Sequence, residues 1–206
     1  MDFLLGLRGI PKIVFLRYSD SRFSRQWDAL RAFTAIESLY VDGDAAVTST
    51  FDSQLSVRYL SMSSCSGDAF GSIVRSCPRI TELDVSFSMD VDDSDLMAVE
   101  GCVSLRELTL NGASIKGHTL SRLAKLKSLS RLTILNCPID QEGIESLSQL
   151  TQIDNLTLGL SDNVSSILSL TILITTKSVR LRNYADNEAI VDQIEMLRHN
   201  GQILEK

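Results

Sequence analysis

Two histidines, four cysteines and one acidic run are the residues from which this chain could build chemistry. A histidine between a nucleophile and a carboxylate would suit acyl transfer. Cysteines in C-x-x-C spacing would suit zinc or redox work. An acidic run with a turn glycine and a distal glutamate would suit calcium. None of these patterns is complete. Cys65, Cys77, Cys102 and Cys137 are too far apart for C-x-x-C and too sparse for a disulfide scaffold. The run "VDDSD" at 91–95 lacks the glycine and the distal glutamate, and reads as a solvated helix start. His118 opens one helical segment and His199 closes another. Neither has an evident nucleophile or carboxylate partner in the sequence, so both read as surface residues. No Gly-rich phosphate loop, G-x-S-x-G or H-E-x-x-H is present. The expectation is a protein with no catalytic residue, no cofactor and no metal, hence not an enzyme.

The elements that position these residues follow from a recurring pattern. The stretch "SLRELTLNGASI" places Leu105, Leu108 and Leu110 at offsets of three and two. The same offsets return at Leu129-Leu132-Ile134 and Ile153-Leu156-Leu158. Upstream they return at Ile80-Leu83-Val85, Val57-Leu60-Met62, Ile36-Leu39-Val41 and Ile13-Leu16-Tyr18, and downstream at Thr176-Val179-Leu181. Successive starts are 21 to 25 residues apart. A fixed period in the twenties predicts a solenoid, because one unit cannot bury its apolar side alone and stacked units can. The second and third apolar residues of a unit are two apart, so both point to one face of a short strand. Segments between the strands have helical character: 68–77, 94–102, 117–126 and 140–150, with Asp140 a plausible N-cap. Cys77 and Cys102 each precede a unit by three residues, where Leu126 and Leu150 stand in later units. Cysteine that interchanges with leucine is packing, and reduced, buried thiols are expected. At the polar turn position of the units stand Ser21, Asp44, Cys65, Ser88, Ala113, Cys137, Ser161 and Tyr184, where a side chain can satisfy buried backbone groups.

With "CVSLRELTLNG" and "LSRLTILNCPIDQEGIESLSQL" in view, the chain resembles leucine-rich repeats of the cysteine-containing class. The resemblance covers roughly residues 13–186. It implies an α/β solenoid (a horseshoe) of about eight strand-plus-helix units, with a parallel sheet on the concave side and helices outside. This class occurs in substrate receptors of F-box ubiquitin ligases, in regulatory proteins and in scaffolds, so it implies protein recognition and no reaction. The chain departs from the F-box arrangement, since too few residues precede position 13 for an adaptor-binding helical domain.

One domain over 1–206 is expected, with a capping helix at about 187–200. Asp186 is the expected cap, Ile190, Ile194 and Leu197 the buried face, and Gly201 the stop. Only "MDFLLGLRG", read as a short helix, precedes the first strand: either it is a self-sufficient cap, or the strand's edge is covered by a partner or by further chain. The N-terminus fails as a secretory signal and the longest apolar run, 167–174, is too short to span a bilayer. An intracellular, cytoplasmic protein without a membrane partner is expected.

On such strands the third, fifth and seventh template positions face the concave side. Tyr40 and Tyr59 lie there in the early units, with Asp42, Glu82, Asp84 and Glu107 in the middle and Arg131, Arg180 and Arg182 late. The row Thr109, Thr133 and Thr157 reads as plain strand propensity. The expected binding residues are Tyr40, Asp42, Tyr59, Glu82, Asp84, Glu107 and Arg131, and the expected occupant is a protein with a basic segment. A net charge of −6 and an acidic middle argue against nucleic acid. The leading expectation is a non-catalytic interaction module, a scaffold or regulatory subunit. The alternatives are the substrate-recognition part of a ubiquitin ligase, a regulator lending a residue in trans, and an RNA-associated subunit.

Overall fold

The computed structural model describes residues 13–17, 36–43, 55–170, 176–183 and 187–199. The expectations placed on "MDFLLGLRG", Ser21, Asp44, Tyr184, Asp186 and Gly201 lie outside these residues, as does the side chain of His199.

Eight five-residue strands form one sheet: β1 (Ile13–Arg17), β2 (Ser38–Asp42), β3 (Tyr59–Ser63), β4 (Glu82–Ser86), β5 (Glu107–Asn111), β6 (Arg131–Leu135), β7 (Asn155–Gly159) and β8 (Ser178–Arg182). Each pairs in parallel with its sequence neighbours alone, in the order β1 to β8. From β2 to β8 the register aligns the repeat template rung by rung: Leu39, Leu60, Leu83, Leu108, Leu132, Leu156 and Val179 share one row. The first unit departs from the expected Ile13-Leu16-Tyr18 phase by two residues, since Val14 and not Leu16 pairs with Leu39. A bifurcated bond fixes the shared phase. The carbonyl of the residue just before one strand accepts the two amides that open the next, as Arg106 O accepts from Ser130 N and Arg131 N at 3.0 Å each. The chain is thus an α/β leucine-rich-repeat solenoid.

The alternation inside each strand separates core from surface. Leu108, Leu110, Leu132, Ile134, Leu156 and Leu158 are buried, and their neighbours on the other face are not, apart from Gly159. The buried set runs as one continuous cluster from Ile36 to Leu197.

The connections complete the core from behind. Helix α1 (Gly67–Ser76) starts at Ser66, whose hydroxyl accepts from Ala69 N, and it buries Phe70, Ile73 and Val74. Helix α2 (Gln141–Leu147) starts at Asp140, whose carboxylate accepts from Gly143 N at 3.0 Å. The two connections between them are tighter than α-helices. Asp95–Gly101 and Leu120–Lys125 wind as 3-10 helix, closed by bonds such as Cys102 N to Val99 O. Three residues per turn deliver Leu96 and Val99, or Leu120 and Leu123, to the core at matching i, i+3 spacing.

The capping helix α3 (Glu188–His199) buries Ile190, Ile194 and Leu197 as its spacing predicts. Asn187 Oδ1 accepts from Ile190 N at 3.2 Å, and Asn187 Nδ2 donates to Val164 O in the preceding unit. Asn187 thus both caps the helix and tethers it to the repeat beneath it. No helix among the described residues is long and apolar enough to cross a membrane.

Candidate binding face

The side of the sheet away from the core, the concave face of the sequence reading, carries three rows of side chains. One row runs Ser38, Tyr59, Glu82, Glu107, Arg131, Asn155 and Ser178. The next runs Tyr40, Ser61, Asp84, Thr109, Thr133, Thr157 and Arg180, and the third starts Asp42, Ser63, Ser86 and Asn111. Their order follows from strand register alone, so the sequence dictates which functional groups meet.

At the β2–β4 end the groups form a cluster. Tyr40 and Tyr59 stand on diagonal positions of adjacent strands, with ring centroids 5.2 Å apart and planes tilted by 47°. That tilted geometry suits the quadrupoles of two rings. Burial, and then the neighbouring Asp84 carboxylate, pushes the Tyr59 phenol above its ordinary value. Serine hydroxyls hold two of the acids in place. Ser63 Oγ donates to Asp42 Oδ1 at 2.8 Å, and Ser86 Oγ donates to Asp84 Oδ1 at 2.7 Å. Glu82 is exposed, and neither it nor Asp84 has an ion-pair partner among the described residues.

Glu107 and Arg131 behave differently from the sequence reading, which placed them in an acidic middle and a basic end. Facing each other across β5 and β6, they form an ion pair. The pair neutralises both, so the negative patch contracts to Asp42, Glu82 and Asp84, beside the two tyrosines.

The rim of this face holds residues that sequence reasoning passed over. The residue after almost every strand has a left-handed backbone: Gly43, Ser64, Phe87, Gly112, Asn136 and Asn183, with φ between 52° and 98°. Glycine and asparagine tolerate this turn, whereas a bulky side chain there costs about 1–2 kcal/mol. Phe87 occupies it nonetheless, with φ 54° and 64% of its surface exposed. Met89, two residues on, is 73% exposed. Between them Ser88 is fully buried, its hydroxyl accepting from Cys65 N and donating to Ser86 O. The signal was available in "DVSFSMD", where an aromatic stands at the turn position that Gly43, Ser64, Gly112, Asn136 and Asn183 fill in other units.

The opposite side of the units holds the remaining polar groups. His118 has a carboxylate partner after all: its Nε2 lies 2.7 Å from Asp140 Oδ2, in the next unit. That hydrogen bond, opposed by slight desolvation, raises the histidine above its ordinary value. Partial burial works against ionising Asp140, but the Gly143 amide and His118 outweigh it and hold the carboxyl low. The "VDDSD" run is a junction between units. Asp92 folds back on the amides of Ser94 and Asp95, and Asp93 reaches forward to Lys116 N at 2.7 Å, Gly117 N at 3.0 Å and Thr119 N at 3.3 Å. The turn-position residues do the same work inside the coil. Ser161 Oγ donates to Ile139 O, and Cys137 Sγ to Leu135 O. All four cysteines are buried thiols outside any disulfide. Among the described residues no group of three His, Cys, Asp or Glu side chains stands close enough to hold a metal ion.

No family model and no curated protein matches the chain. Among solved structures it is similar to one titled "Crystal structure of TLR13-ssRNA13 complex", at 15% identity and a TM-score of 0.48. The alignment covers 84% of this chain and 28% of that one, so the chain spans less than a third of that neighbour's length.

Proposed function

We propose that this chain is a non-catalytic recognition module, a scaffold or regulatory subunit, whose open sheet face takes a protein partner through a basic segment. The observation that carries the reading is the cluster of Tyr40, Tyr59, Asp42, Glu82 and Asp84, five side chains from three consecutive strands. Adjacent strands lie roughly 4.8 Å apart, so the cluster is about 10 Å wide across the strands. Glu82 and Asp84 have no ion-pair partner among the described residues, and such carboxylates raise the encounter rate with a positively charged segment. The tyrosine pair offers rigid contact area with polar tips, the kind of group that anchors interfaces. The same carboxylates would repel a phosphate backbone.

The test is selection of short random peptides on the folded chain, followed by affinity measurement over a salt series. Basic peptides should be enriched, should bind more weakly as salt rises, and should lose binding to the double variant Glu82→Lys with Asp84→Lys. Both positions are surface ones, so the variant should fold normally. An absence of enriched peptides, equal binding to the variant, or preferential binding of a single-stranded RNA oligonucleotide would each overturn the reading.

A further inference from the structure

The fold leaves one aromatic side chain in a place that neither packing nor backbone geometry favours. Phe87 directly follows β4, the strand that carries Glu82 and Asp84, and it takes a left-handed backbone with φ 54°. Its counterparts on the neighbouring turns are Ser64 and Gly112. Gly112 leaves room beside the ring: a Cβ built there would lie 3.7 Å from Phe87 Cδ1. The ring therefore stands between two small residues, 64% exposed, with Met89 73% exposed beyond it. Buried Ser88 pins the backbone between them through its bonds to Cys65 N and Ser86 O, so residues 87 and 89 are held outward on a fixed base.

Two unfavourable features thus coincide at one residue. A left-handed phenylalanine is strained where asparagine or glycine would not be, and an exposed aromatic forgoes burial. Strain and exposure held together on a rigid base point to a contact made outside the chain. The position also lies next to Asp84, which has no ion-pair partner among the described residues. Phe87 follows Asp84 by three residues, roughly 10 Å along an extended strand.

We propose that Phe87, supported by Met89, is the hydrophobic anchor for the same basic protein segment that the acidic face attracts. The occupant is an extended stretch of a partner protein with a lysine or arginine over Glu82 and Asp84. An apolar side chain, about three residues from that cation, packs on Phe87 and Met89. The inference rests on the reading of the acidic face given above and adds a specificity-determining element to it: a basic segment lacking the apolar residue would be drawn in and not retained.

The experiment uses the peptides enriched on the folded chain and two variants, Phe87→Asn and Phe87→Gly. Asn and Gly fill the equivalent turn at Asn136, Asn183, Gly43 and Gly112, so both variants should unfold at the same temperature as the parent or higher. The enriched peptides should carry a cation and an apolar residue roughly three positions apart. Their affinity for each variant should fall about tenfold or more, chiefly through faster dissociation. Peptides that bind both variants as tightly as the parent, while still losing affinity to Glu82→Lys with Asp84→Lys, would overturn the anchor and leave the acidic face standing. Peptides indifferent to the charge reversal would overturn both. A lower unfolding temperature for Phe87→Asn would show that the ring serves the fold, and would likewise overturn the anchor.

Discussion

Gly143 packs against Lys116 so tightly that a Cβ at Gly143 would lie 2.1 Å from the Lys116 carbonyl oxygen. Gly143 sits inside α2, where alanine is ordinarily the better helix former by about 1 kcal/mol. Here the sign is reversed, because the contact is with main chain of the preceding unit and main chain cannot swing away. Gly143→Ala should destabilise the protein by about 1–3 kcal/mol in chemical denaturation, as overpacked cores do. A stabilised variant would mean that the two units stand further apart than described.

The central row of leucines sets the second expectation. Leu132 is 1% exposed and lies between Leu108 and Leu156 in the register. Leu132→Ala should lose about 2–5 kcal/mol, the transfer term plus a cavity that neighbouring units cannot collapse into. A loss below about 0.5 kcal/mol, the size typical of a surface change, would contradict the register.

Stability should respond to pH through His118 and Asp140. The histidine is raised above 6.5, so its contribution is fully present below 6.5 and is lost as pH rises through the raised value. Asp140 is lowered below 3.8, so its contribution is present above 3.8 and is lost as pH falls through the lowered value. The pair therefore contributes most between these two ordinary values. The stability difference between the parent and His118→Ala should peak in that window and shrink on the alkaline side. A difference that stays flat across neutral pH would show that the two side chains do not interact in solution.

Thiol reactivity gives the fourth expectation. Burial pushes the thiols of Cys77 and Cys102 up to about 12, and raises that of Cys137 as well. Thiolate, the reactive form, is then scarce near neutral pH. Labelling of these three by a thiol reagent should be slow in the native protein and complete on unfolding. Labelling at the rate of a free peptide thiol would place them at the surface.

The repeat phase was legible because burial in a solenoid is periodic by necessity: β2 to β8 stand in the expected phase, and β1 is slipped against it by two residues. The rows of the open face followed from the same register. What the sequence concealed was side-chain reach between units. Glu107 and Arg131 were assigned to different charge zones although they occupy the same template position one unit apart, and at that separation opposite charges pair. His118 finds Asp140, and Asp93 finds three amides, across 22 to 26 residues of sequence, through rotamers that no period encodes. Phe87 was hidden for the opposite reason: its strain is a property of the backbone angle, visible only once the turns are superposed.

The strictly sequential strand order has a kinetic side. Every pairing joins segments 21 to 25 residues apart, roughly a tenth of the chain, which is a low contact order for a sheet protein. Loop closure therefore costs nearly the same entropy at each step, and no step must wait for a distant end of the chain. Folding can nucleate at one well-packed pair, with the leucine-rich β5–β6 junction the natural place, and zip outward in both directions. On the ribosome each strand can dock as it emerges, so an incomplete chain already hides most of its apolar surface, apart from that of its newest rung.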